Sequence, residues 1–193
     1  MYYSILFCFK FEGINNVILN NKIVLIGYMG SGKTAVGKEL SKIFNIPFID
    51  LDDEIVKVEK RSIDKIFEEN GELYFRKVEH DCLKNILKSS VLSVISLGGG
   101  TPCYYNTIKM LNDNDKVNTV FLRASVNNLV ERLSKEINHR PKIKNLKTKT
   151  VLSEFIGKHL FERNHFYNKS KFIINTNNKS INAVAKEIEL FLT

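Results

Sequence analysis

The sequence predicts an α/β fold: a doubly wound sheet of about five parallel strands with helices on both faces. Short β-branched apolar runs alternate with longer segments of helical spacing, the pattern of a sheet with crossover helices. The first run ends in a glycine-rich loop that opens directly into a helical segment. No internal repeat or low-complexity linker breaks the alternation, and 193 residues suit one compact domain.

The elements follow in order. Lys22-Ile23-Val24-Leu25-Ile26, closed by Gly27, reads as a buried parallel strand. Residues 33–44 carry helical spacing, with Val36, Leu40 and Ile43 expected on the inner side and Pro47 marking the exit. Phe48, Ile49 and Asp50 form a short second strand. Residues 52–60, 62–70 with Ser62 as N-cap, and 71–88 read as helices, with Leu73, Cys82 and Ile86 of the last facing the core. One crossover helix would join the second and third strands, so these three mark an inserted subregion at about 50–88. Residues 91–97 make a strand that ends in Gly98-Gly99-Gly100, residues 117–122 and 172–174 supply two more, and Ser125 and Ser180 cap the helices that follow. Residues 138–150 differ in character: Pro141 breaks any helix and lysines recur, so a mobile loop outside the core is expected there.

Composition narrows the function classes. An apolar fraction of 44% and a charged fraction of 26% are ordinary for a soluble domain. No stretch approaches the roughly 20 apolar residues of a membrane span, so no membrane partner is expected. Lys and Arg number 29 against 21 Asp and Glu, a formal net charge of +8 that favours anionic ligands. Much of the excess is Lys scattered among Asn and Ile, a solvated basic surface, and nucleic acid is not an expected partner. Cys8, Cys82 and Cys103 form no CxxC pair, which suits reduced thiols in a cytoplasmic protein, expected to be a monomer. Residues 1–21 stand apart as an extension: apolar and aromatic at first, without basic residues before the apolar run or a small-residue cleavage pattern. An added strand and a translation start placed upstream both fit it. Residues 22–193 form the expected domain.

Gly27-Tyr28-Met29-Gly30-Ser31-Gly32-Lys33-Thr34 matches G-x-x-x-x-G-K-[ST] between a strand and a helix, the context that makes the match specific. Backbone N–H groups of such a loop form an anion nest, and the helix adds the positive end of its dipole. The expected ligand is ATP with Mg²⁺. Gly30, Ser31, Gly32, Lys33, Thr34 and Ala35 are candidates to hold its phosphates, with Lys33 reaching the β- and γ-phosphates and the Thr34 hydroxyl ligating the metal. Asp50, Asp52, Asp53 and Glu54 follow the second strand, where open α/β sheets bind ligands. Asp50 is a candidate to hold Mg²⁺ through water and Asp52 to accept a proton, whereas Asp53 and Glu54 suit a helix N-terminus. Arg76 by itself reads as an ion-pair partner of Glu72 or Glu79. Gly98, Gly99 and Gly100 allow close approach of a ligand to backbone N–H groups, or simply a flexible turn. With a phosphate site in the chain, residues 138–150 become a candidate lid.

Taken together, these residues resemble the shikimate kinase family. The ordered set is GYMGSGKT, Phe48-x-Asp50-x-Asp52, Ile66-Phe67, Gly71-Glu72, Phe75-Arg76-x-x-Glu79, the triple glycine, Arg140-Pro141, and Arg163 with Tyr167 four residues on. It spans the chain from about residue 21 to the C-terminus. The resemblance implies a P-loop kinase architecture and transfer of the γ-phosphoryl of ATP to the 3-hydroxyl of shikimate, on the route to chorismate and the aromatic amino acids. It further implies that Asp52 and Gly99 bind shikimate hydroxyls, Arg76 and Arg163 clamp its carboxylate, Arg140 closes on the ATP phosphates, and Arg132 and Lys179 lie near the adenine. Lys33, Asp52 and Arg140 are thereby the expected catalytic residues. Lys142-Ile143 stand where the family usually has two leucines, and Asn164-His165 follow Arg163 where proline is frequent. Two rival readings remain at this stage, a different small sugar-acid kinase such as a gluconate kinase and a non-catalytic nucleotide-binding module.

Overall fold

The computed structural model describes residues 19–135, 143, 146 and 148–193. Five strands form one sheet: β1 (Lys22–Ile26), β2 (Phe48–Asp50), β3 (Val94–Ser96), β4 (Val117–Arg123) and β5 (Phe172–Asn175). Their order across the sheet is β2-β3-β1-β4-β5, and every pairing is parallel. The helices are α1 (Lys33–Phe44), α2 (Leu51–Glu59), α3 (Ile63–Lys88), α4 (Thr107–Asn112), α5 (Val126–Ser134), α6 (Lys149–Tyr167) and α7 (Ile181–Leu192).

Alternation along the strands builds a core on each face. Val24 and Ile26 of β1 join Leu51, Ile66, Leu83, Phe121 and Leu160 on one side of the sheet. Ile23 and Leu25 join Val36, Leu40, Val120, Val184 and Ile188 on the other, under α1 and α7. Because successive strand residues point to opposite faces, a strand covered on both sides reads as a continuous apolar run, as β1 does from Ile23 to Ile26.

Local chemistry sets the helix ends. The side chains of Ser62, Ser125 and Ser180 accept bonds from the backbone N–H groups of Lys65, Asn128 and Ala183, so all three expected caps form. Within α3 the helix breaks at Gly71, with φ 75° and ψ 178°, at the division read between residues 62–70 and 71–88. Two inner-face expectations fail. Ile43 is 37% exposed and Leu73 82% exposed. Val36, Gly37 and Leu40 fill the inner face of α1, and Phe75, Cys82 and Leu83 that of α3 beyond Gly71.

Of the stretch 138–150 only residues 143, 146 and 148–150 are described, and these do not all lie outside the core. Ile143 is fully buried within the α5 and α6 side of the core, and Leu146 packs against it. Lys149 and Thr150 already belong to α6, whose N-cap is Thr148, accepting from Val151 N–H at 3.2 Å. Among the described residues no helix is long and apolar enough to cross a membrane.

Candidate active site

The carboxyl ends of β1, β2 and β3 open onto a cleft of about 720 Å³. Such strand ends are where open α/β sheets hold ligands. Gly30 to Ala35, Asp50, Asp52, Gly98, Gly99, Arg132 and Lys179 all line it.

At the nucleotide end, Gly30 and Gly32 take φ of 78° and 99°, left-handed values that side chains other than glycine rarely adopt. Gly32 directly precedes α1, so the positive end of that helix faces the loop. Lys33 is buried, and its Nζ donates to the carbonyls of Gly27 at 2.9 Å and Tyr28 at 3.1 Å. Thr34 Oγ1 donates to Asp50 Oδ2 at 3.2 Å, while Asp50 Oδ1 accepts from Asp52 N–H and thereby caps α2. A hydroxyl and a carboxylate side by side at a phosphate loop form an all-oxygen donor set that fits Mg²⁺. The Ser31 hydroxyl is buried in the same loop and has no hydrogen-bond partner among the described residues.

Arg132 and Lys179 also reach the cleft. The Arg132 guanidinium donates to the carbonyls of Gly30 at 3.2 Å and Thr176 at 2.8 Å, stapling the phosphate loop to the turn after β5. Lys179 forms an ion pair with Glu187 of α7. Arg140 lies outside the described residues.

At the other end, the triple glycine gathers charged groups from three elements. None of Gly98, Gly99 and Gly100 has a positive φ, so space rather than backbone freedom calls for glycine here. A Cβ at Gly100 would sit 2.6 Å from Arg76 Nη2. One at Gly98 would sit 3.0 Å from Glu79 Oε1 and 3.2 Å from Asp52 Oδ1, and one at Gly99 would be 3.8 Å from Arg163 Nη1. The single loop therefore faces Asp52, Arg76, Glu79 and Arg163, with the phosphate loop beside it: a Cβ at Gly99 would be 3.6 Å from the Met29 backbone nitrogen.

Arg76 is boxed in. Its Nη1 donates to buried Glu79 at 2.8 Å, its Nε and Nη2 donate to Glu72, and Cζ lies 4.3 Å from the centre of the Tyr104 ring. Burial alone pulls the Arg76 guanidinium toward neutrality, but Glu79 and Glu72 outweigh it and hold the charge in place. Glu79 in turn accepts from Thr101 Oγ1 at 2.6 Å, tying α3 to the turn after the glycines. Arg163, on α6, lies beside rings instead. Its Cζ is 5.8 Å from the centre of the Tyr28 ring, and its charge is felt at the nearby Tyr167 hydroxyl, which donates to the Gly99 carbonyl. Burial pushes the Tyr28 phenol up to about 12 and the Cys103 thiol up to about 11, with Arg163 pulling the other way in both.

Sequence reasoning thus brought Asp52, Arg76, Arg163 and the glycines to one place. It missed Tyr104 beside Arg76, Tyr28 beside Arg163 and Thr101 as the partner of Glu79. Glu79 carried a signal, its i+3 spacing from Arg76. The other three contacts cross long stretches of chain and leave no local pattern.

The family model for shikimate kinase matches residues 29–193. The shikimate kinase of Flavobacterium psychrophilum is 44% identical over 171 residues, covering 89% of this chain and 98% of that protein. Two solved structures are similar over most of the chain. Shikimate kinase from Bacteroides thetaiotaomicron has a TM-score of 0.81 at 33% identity, with 89% of this chain and 98% of that one covered. Shikimate kinase from Acinetobacter baumannii, in complex with shikimate, has a TM-score of 0.76 at 29% identity, with 89% and 93% covered. Motif order, site geometry and matches spanning nearly the whole domain agree, and this chain belongs to the shikimate kinase family.

Proposed function

We propose that this chain transfers the γ-phosphoryl group of ATP to the 3-hydroxyl of shikimate, through the residues gathered between the phosphate loop and the triple glycine. Membership of the family makes it an ATP-dependent kinase acting on a hydroxyl group. The observation that carries the substrate assignment is the convergence of Arg76 and Arg163 on the Gly98 to Gly100 loop. Two planar guanidinium groups offer several donors in fixed geometry, which matches the carboxylate of a small organic acid.

The roles follow from position. Arg76 and Arg163 bind the shikimate carboxylate, and Asp52 and the Gly98 to Gly100 backbone hold its hydroxyls. The substrate-binding subregion is then α2 and α3. The loop N–H groups, Lys33 and the Ser31 hydroxyl hold the nucleotide phosphates, and Arg132 and Lys179 border the nucleotide end of the cleft. Thr34 and Asp50 would hold Mg²⁺, which supplies charge neutralisation to the phosphates when bound. Asp52 orients the acceptor hydroxyl toward the γ-phosphorus and takes its proton as ADP leaves. Loose phosphoryl-transfer transition states ask little proton removal, so orientation is the larger part of that role. Arg140, from the lid, completes the assignment as the residue closing on the phosphates. A cytoplasmic monomer accords with the reading.

The test is ADP release with Mg·ATP and either shikimate or gluconate. Turnover with shikimate and none with gluconate is expected, whereas turnover on gluconate alone would overturn the substrate assignment. ATP binding with turnover on neither acid would favour the non-catalytic module.

A further inference from the structure

Tyr28 joins the two halves of the site through three different groups. Its backbone carbonyl accepts from Lys33 Nζ at 3.1 Å, inside the phosphate loop. Its ring, 1% exposed, lies near the Arg163 guanidinium, 5.8 Å from ring centre to Cζ. Its hydroxyl bonds His159 Nδ1 at 2.9 Å, across 131 residues of sequence. His159 and Arg163 stand four residues apart on α6 and therefore share a face of that helix.

This arrangement couples loop occupancy to the substrate arginine. Phosphate oxygens arriving in the loop compete with the Gly27 and Tyr28 carbonyls for the Lys33 ammonium. Tyr28 then loses or reorients one of its three attachments, and the close-packed ring passes the change to Arg163, because a buried aromatic cannot shift without moving its neighbours. The hydroxyl bond to His159 matters for the same reason: it fixes the ring to α6, so ring and guanidinium move as one unit. We propose that Tyr28 and His159 are positioning residues that make the affinity of Arg163 for the shikimate carboxylate depend on whether the phosphate loop holds nucleotide. The inference rests on the substrate reading given above.

Calorimetric titration of the full chain with shikimate, alone and with saturating Mg·ADP, tests it. In the wild type, nucleotide is expected to tighten shikimate by about 5-fold, at the lower end of common coupling factors. Tyr28→Phe keeps the ring and removes the hydroxyl, and His159→Leu removes its hydrogen-bond partner. Each is expected to reduce the factor below about 2-fold, with shikimate affinity in the absence of nucleotide and the thermal midpoint little changed. His159→Asn places a polar atom near the Nδ1 position and is expected to restore the coupling, which a purely steric role for His159 would not allow. A wild-type factor of one, a Tyr28→Phe variant that keeps the full factor, or a loss of affinity equal with and without nucleotide would each overturn the proposal. Failure of the wild type to bind shikimate under any condition would instead remove the substrate reading.

Discussion

The two arginines of the site are held by opposite means. Arg76 is 6% exposed, paired with Glu79 and Glu72, and its charge is largely answered by the protein. Arg163 is half-buried and lies beside Tyr28 and Tyr167, and among the described residues no carboxylate comes within ion-pair distance of it. An aromatic face and a hydroxyl orient a guanidinium without neutralising it. The physical consequence is a division of labour. Arg76 is a rigid member of the α3 scaffold that also presents donors to the cleft, whereas Arg163 supplies the uncompensated positive charge that draws in an organic acid.

The strongest way to break this contrast is to delete each arginine and measure stability as well as activity. Arg76→Ala leaves Glu79, 2% exposed, as a buried carboxylate without its cation. Removing one partner of such a pair costs about 3–5 kcal/mol, so the urea midpoint should fall sharply, together with loss of shikimate turnover. An Arg76→Ala protein as stable as the wild type would show that the Glu79 pair is not structural. Arg163→Lys should do the reverse. It keeps the charge but loses the planar fork, and the shikimate KM is expected to rise roughly 10- to 150-fold, from about 1.5–3 kcal/mol for a charged hydrogen bond. Its unfolding free energy should stay within about 0.5 kcal/mol of the wild type. A stability loss matching that of Arg76→Ala would erase the distinction between the two.

Much of the fold could be read from the chain, because strands, caps and the phosphate loop are written in short-range patterns. The run from Lys22 to Ile26, the serine caps and the break at Gly71 all stand at their expected places. Inner faces were read less well. Spacing alone put Ile43 and Leu73 inside, but which stripe of a helix is covered depends on the neighbour packed against it, and here the neighbours cover Leu40 and Phe75 instead. Ile143 shows the converse: a lysine-rich stretch signals a solvated loop, yet one apolar side chain within it fills a core position. The site divides in the same way. Its motif residues were legible, but the means by which each arginine is held were not, since Tyr28 meets Arg163 and Tyr104 meets Arg76 only after the sheet has assembled.

The smallest expected effect sharpens the aromatic side of the contrast. Burial raises the Tyr28 phenol from its ordinary value near 10 to about 12, and burial raises Tyr167 as well, so the fold favours both neutral forms. The stabilisation is complete below the unfolded value and is lost as pH rises from about 10 through about 12, because there the unfolded chain releases protons that the native one retains. Unfolding free energies from urea titrations at about pH 8 and about pH 10.5 should therefore differ by less than about 1 kcal/mol per tyrosine, with the alkaline sample weaker. Tyr28→Phe should remove part of that difference while leaving the midpoint at the lower pH nearly unchanged. If it instead left the alkaline loss intact, the ring beside Arg163 would not be the buried neutral phenol that orients this guanidinium without cancelling its charge.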